Sequence, residues 1–277
     1  MYFDFNELTK FTLGSDGRTV QCVAQFLKPV HIVMMSILHH YTDCSATFLY
    51  HADYAKVMRF DDPLEIDTVD GSNHSKAIKL KNKFDNDKQV KKIMTILEGN
   101  NYLDNETNSI LELVISEVFQ NFYAHADTDK PPICCVQDWS TSDFMEISIA
   151  DNGIGIGNAL GAALKNYSDN SNPCRIACDL GVSSCLYGKG KLGTSHSGYG
   201  LYYTKRFIEE NKGILFLFSG NTCYINKDGV ENDRTLPYSW KGTVIRLIIN
   251  KKYTLPSKYF FEKIGKEIDG DDYEEFF

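Results

Sequence analysis

Glu146-Ile147-Ser148-Ile149-Ala150-Asp151-Asn152-Gly153-Ile154-Gly155-Ile156-Gly157 is the stretch whose reading decides the fold. Residues 144–150 read as a strand, and Asp151 stands at its end. The glycines that follow let backbone come close to a flat ligand, and a carboxylate at a strand end can accept a hydrogen bond from an exocyclic amine. The plain alternative is an Asp-Asn-Gly turn. The glycine spacing is not that of the dinucleotide-binding fingerprint.

Upstream, residues 105–126 read as a long helix that contains Glu117-Val118-Phe119-Gln120-Asn121-Phe122-Tyr123-Ala124-His125-Ala126. Glu117, Asn121 and His125 fall at i, i+4 and i+8, one polar stripe. Leu111, Ile115, Val118 and Phe122 suit a core on the other side. A carboxylate in such a stripe can act as a general base, and an amide oxygen suits Mg²⁺. A solvent-facing helix side is the bland reading. Downstream, Gly193-Thr194-Ser195-His196-Ser197-Gly198-Tyr199-Gly200-Leu201 leads into a helix over 199–210. Glycine-rich entries of this kind offer backbone N–H groups to phosphate, and helix-capping serines are the competing explanation. Strands are expected at 133–139, 213–219 and 243–249. Residues 158–197, rich in Gly, Ser, Asn and Lys, read as a lid or loop.

Taken together, the helical Glu-x-x-x-Asn, the strand-terminal Asp-x-Gly-x-Gly, the Gly-x-Gly-Leu helix entry and Gly242-Thr243 resemble the Bergerat ATP-binding fold of the GHKL superfamily over residues 90–250. The resemblance implies ATP and Mg²⁺ as ligands. It makes Glu117 the general base and Asn121 the Mg²⁺ ligand. Asp151 would accept from the adenine amino group, beside Gly153 and Gly155, with Thr243 at the adenine edge. Residues 158–197 would be the lid, with Gly198, Gly200 and Leu201 at the phosphates and Lys189, Lys191, Thr194 and Ser195 as further lid contacts. The Glu-x-x-x-Asn-x-x-x-His-Ala pattern is most similar to the anti-sigma-factor-type serine kinases. A protein-serine kinase or slow ATPase with a regulatory protein partner is therefore expected. A non-catalytic ATP-responsive interaction module is the alternative, and a homodimer is left open. With 35 residues after Gly242 a gyrase-type transducer domain is not expected, nor is a helix pair carrying an acceptor histidine before the motifs.

Before residue 88 the chain reads as a small α/β unit. A strand over 19–26 precedes a helix started by Pro29, with Val30, Val33, Met34, Ile37, Leu38 and Tyr41 on one side. A strand at 46–50 and a helix over 52–60 follow. This order resembles a STAS-like regulatory domain. The predicted architecture is an α/β (α+β sandwich) chain. A unit at 1–88 precedes an ATP domain at 89–252, with a mixed sheet and helices on one face, and an acidic tail occupies 253–277.

Composition is compatible with this reading and sets its limits. The chain has 277 residues, 29 Lys plus Arg and 37 Asp plus Glu, for a formal net charge of −8. That balance disfavours a nucleic-acid partner, which calls for concentrated positive charge. The opening residues lack a secretory pattern, and no apolar run approaches the roughly 20 residues of a spanning helix. A cytoplasmic protein without a membrane partner is expected. Its eight cysteines read as small core residues rather than disulfides or a zinc site.

Overall fold

The computed structural model describes residues 8–50, 78–80, 86–98, 102–139, 141–168, 171–182 and 199–269. The expected helix over 52–60, the lid residues 183–198 and the chain after 269 lie outside the described residues. Lys189, Lys191, Thr194, Ser195 and Gly198 are among those.

A three-stranded sheet is formed by β1 (Phe11–Leu13), β2 (Thr19–Cys22) and β3 (Ser45–Phe48). β1 runs antiparallel to β2, and β2 runs parallel to β3 with α1 (Pro29–Tyr41) as the crossover. The larger sheet contains β4 (Ile78–Lys79), β5 (Ile133–Asp138), β6 (Phe144–Ala150), β7 (Ile214–Lys227) and β8 (Val230–Asn250), in the order β4-β5-β6-β8-β7. In place of the expected mixed sheet, all four of its pairings are antiparallel. The parallel pair belongs to the small sheet.

Strand alternation gives the larger sheet two apolar faces. Cys134, Val136, Ile147, Ile149, Leu215 and Leu247 face α2 (Asn86–Glu98), α3 (Asn105–His125) and α6 (Gly200–Glu210). Ile133, Cys135, Ala150, Phe216, Phe218 and Val244 share a second core with α1 and the small sheet. Helices on one face only were expected, and α1 corrects this, because a sheet apolar on both sides must be covered on both. The expected division at 88 falls inside α2, and β4, assigned to the first unit, pairs with β5.

The segment from 253, expected to be an acidic tail, contributes to the first core as far as it is described. In α7 (Ser257–Asp269), Phe260 and Ile264 are buried one turn apart, with Ile268 packed against the same cluster. That i, i+4, i+8 stripe outweighs the acidic composition near the end. No helix among the described residues is long and apolar enough to cross a membrane.

Candidate functional site

α3 carries the first two site residues. Asp104 caps it by accepting from Thr107 N at 2.8 Å, and Leu111, Val114, Ile115 and Val118 bury one side in the core. Glu117 and Asn121, on a neighbouring stripe, do not simply face solvent. Gly200 begins α6 so close to them that a Cβ there would stand 2.8 Å from Glu117 Oε2 and 3.1 Å from Asn121 Nδ2. α6 is pinned there by Phe207 and Ile208, both fully buried. Its N-terminal residue Tyr199 supplies no side-chain cap. Asn121 Nδ2 is buried and has no hydrogen-bond partner.

The loop after β6 docks on the end of the same helix. Ile154 N donates to Ala126 O at 2.8 Å. Ala126 lies five residues beyond Asn121, about 7.5 Å of helical rise. Asp151 is 1% exposed. Its Oδ1 accepts from Gly153 N at 2.5 Å and its Oδ2 from Thr243 N at 3.1 Å, while Trp240 Nε1 donates to its carbonyl at 3.1 Å. Gly242 has φ 99°, and a Cβ on it would run into Asp151 O and stand 2.6 Å from Oδ1. Only glycine meets both demands. Gly155 lies against Ser219, whose hydroxyl donates to Gly242 O at 2.7 Å and accepts from Ile156 N at 2.8 Å.

Burial pushes the Asp151 carboxyl up from 3.8 to about 7, against the opposing pull of the Gly153 and Thr243 N–H bonds. The fold therefore favours the protonated acid. The stabilisation this contributes is complete below 3.8 and is lost as pH rises through about 7. Relative to an Asp151→Asn variant, whose side chain does not titrate, the wild type is expected to lose stability across that window. Urea denaturation midpoints of the two proteins at a series of pH values check this. A constant difference between them contradicts it.

The described residues thus bring Glu117, Asn121 and Gly200 together, and join Asp151, Gly153, Gly155 and Thr243 through backbone bonds. Leu201 is half-buried against the first core, a packing position. Sequence reasoning missed Ser219 and Trp240 as supports of this loop. Ser219 faces Thr243 across β7 and β8, and although the Asp228-Gly229 turn announces the hairpin, the register shifts between Ser219 and Thr222 hide this particular pairing from the sequence. The described part of 158–182, expected as loop, contains α4 (Ile156–Leu160), a 3₁₀ turn at Gly161–Asn166 and α5 (Pro173–Ile176). Asn172 Nδ2 ties α5 to Cys223 O at 3.0 Å. Cys174 is buried there, and desolvation pushes its thiol up to about 12, which makes it unreactive.

Apart from this constellation, a cavity of about 940 Å³ is walled by Lys10, Phe26, Lys28, Tyr50, Asp143 and Phe144 at the opposite end of β6. It contains none of the motif residues. Among the described residues no group of three or more His, Cys, Asp or Glu is placed to hold a metal. A Mg²⁺ held by Asn121 would take its other ligands from phosphate and water, which is usual for this ion. The orphaned atom of Asn121 is its amide nitrogen Nδ2, a donor, so a Mg²⁺ held here would take the other end of the amide, Oδ1, beside Glu117 and the close approach of Gly200. No protein-family model matches the chain, and no curated protein matches it.

Proposed function

We propose that this chain is a Mg²⁺-dependent ATP-binding protein of the GHKL class. It would act in the cytoplasm as a protein-serine kinase or slow ATPase, in regulation through a protein partner. The observation that carries the reading is the convergence of three separated motifs: Gly200 against Glu117 and Asn121, and the Asp151 loop against the end of the same helix. The meeting of three sequence-distant motifs at one helix supports a nucleotide site.

Asp151, already fixed by two N–H donors, keeps lone pairs for an adenine amine. Its ionised form is the stronger acceptor, so adenine binding should favour the high side of its titration. Asn121 would hold Mg²⁺, which when bound neutralises charge on the phosphates. Glu117 takes the proton from the attacking water or seryl hydroxyl as its oxygen bonds to the γ-phosphorus and ADP leaves. The uncapped start of α6 supplies N–H groups and a positive dipole end toward phosphate.

The test is incubation with γ-labelled ATP, alone and with candidate partners. Label is expected in free phosphate or on protein serine. Bound ATP with neither product would leave only the non-catalytic module, and no bound ATP would end the reading.

A further inference from the structure

Helix α1 lies along the back of the strand that carries Asp151, and it is attached near both ends. Near its start, Val30 N donates to Glu146 Oε1 at 3.2 Å. At its last residue, Tyr41 O accepts from Asn152 Nδ2 at 3.4 Å. Because Tyr41 O can only accept, the donor must be the amide nitrogen of Asn152. The two attachments match in length. Val30 to Tyr41 spans eleven helical steps, about 16 Å. Glu146 to Asn152 spans six strand steps, about 20 Å. α1 therefore runs beside β6 in the same direction, with its first attachment at the start of the strand and its second just past the end.

Between the attachments the helix is buried. Val30, Val33, Met34 and Ile37 are all at most 1% exposed, and they share a core with Ala150, the residue before Asp151. Its carboxyl end is held a second time. Tyr41 Oη donates to Pro131 O at 3.0 Å, in the connection between α3 and β5. Burial pushes that phenol up to about 12, so it remains a donor at neutral pH. α1 is thus fixed to both segments that lead into the site: the strand ending at Asp151 and the connection leaving α3.

We propose that Asn152 is a positioning residue, whose amide ties the Asp151 loop to the carboxyl end of α1, so that the first unit of the chain sets where the adenine-selecting carboxylate stands. The proposal rests on the ATP-binding reading and deepens it. It gives the first unit a task other than docking: whatever shifts α1 along the sheet shifts the loop.

Hydrogen exchange on the ligand-free full chain tests the tie without any nucleotide. The amides of Gly153 and Ile154 are the reporters, because they bond to Asp151 Oδ1 and Ala126 O. Asn152→Ala and Asn152→Asp both remove the donor, and the second keeps the shape. Either is expected to speed exchange at those amides by about fivefold, one neutral hydrogen bond, while Ile147 and Ile149 in β6 stay protected. ATP affinity should fall by a similar factor, and the preference for ATP over GTP should fall with it. A merely structural role would leave that ratio unmoved. Tyr41→Phe, which removes the second anchor, should act in the same direction and less than additively with Asn152→Ala. Unchanged exchange in both Asn152 variants, or changed exchange with an unchanged ATP-to-GTP ratio, overturns the proposal alone. A wild type that binds no ATP overturns the nucleotide reading together with it.

Discussion

Glu117→Ala is expected to abolish phosphoryl transfer while nucleotide remains bound. In the proposed role Glu117 acts only on the proton of the attacking oxygen. Its loss should cost turnover by about 10²–10⁴-fold, the usual contribution of a positioned general base. Affinity should be kept, because in the proposed reading the adenine contacts would belong to Asp151 and the phosphate contacts to Asn121 and the start of α6. Glu117→Gln provides the stricter comparison. It fills the same space beside Gly200 and keeps a hydrogen-bonding end, yet cannot take a proton. Both variants should be equally inactive in single-turnover assays with γ-labelled ATP. Turnover near the wild-type rate in either one removes Glu117 from the mechanism.

Glu146→Ala should be the most destabilising single change on the second face of the sheet. Glu146 and Arg246 are both 0% exposed. The carboxylate accepts from Arg246 Nε at 2.9 Å and Nη2 at 2.8 Å, from Ser148 Oγ at 2.8 Å and from Val30 N at 3.2 Å. Removing it strands a buried guanidinium over the Phe216 ring, 4.9 Å from its centroid. Breaking a buried pair in this way costs about 3–5 kcal/mol, a large share of the roughly 5–15 kcal/mol typical of a domain. The double substitution Glu146→Leu with Arg246→Met should recover most of the loss, since an apolar pair needs no desolvation. It would still leave Val30 N without its partner, at about 1–3 kcal/mol. Urea denaturation of the single and double variants beside the wild type checks the order. A single variant within about 1 kcal/mol of wild type, the worth of an exposed pair, would mean that the buried pair contributes little to holding β6 and β8 together.

These contacts also mark where the sequence could and could not be read. α1 follows from apolar periodicity and its starting Pro29, and α3 from the apolar spacing of Leu111, Ile115, Val118 and Phe122, all of which are local signals; the Asp104 cap of α3 is seen only in the structure. The position of Asp151 at a strand end follows likewise. The long β7–β8 hairpin was open to the same reasoning. Lys227-Asp228-Gly229-Val230 contains an Asp-Gly turn with φ 50° and 78° at its two central residues, the strongest short-range hairpin signal. Read only as strands at 213–219 and 243–249, it concealed how far both strands extend. The docking of α1 on the sheet had no local signal. Glu146 and Arg246 are separated by a hundred positions, and Val30 and Glu146 by 116, and their partnership depends on topology. The packing of Gly200 against Glu117 and Asn121 is of the same kind. Motif order suggested it, and side-chain distances between α3 and α6 express it.

Calorimetric titration with ATP, with and without Mg²⁺, on the wild type and on Asp151→Asn tests the proposed adenine site most directly. The amide of that variant would offer one carbonyl acceptor where the carboxylate offers two oxygens, and its NH₂ would face the Gly153 or Thr243 N–H. The wild type is expected to bind one ATP, more tightly with Mg²⁺. The variant should bind at least about tenfold more weakly, which corresponds to about 1.4 kcal/mol and lies near the range of a hydrogen bond to a charged group. Equal affinity in the two proteins contradicts the adenine assignment and the family reading built on it.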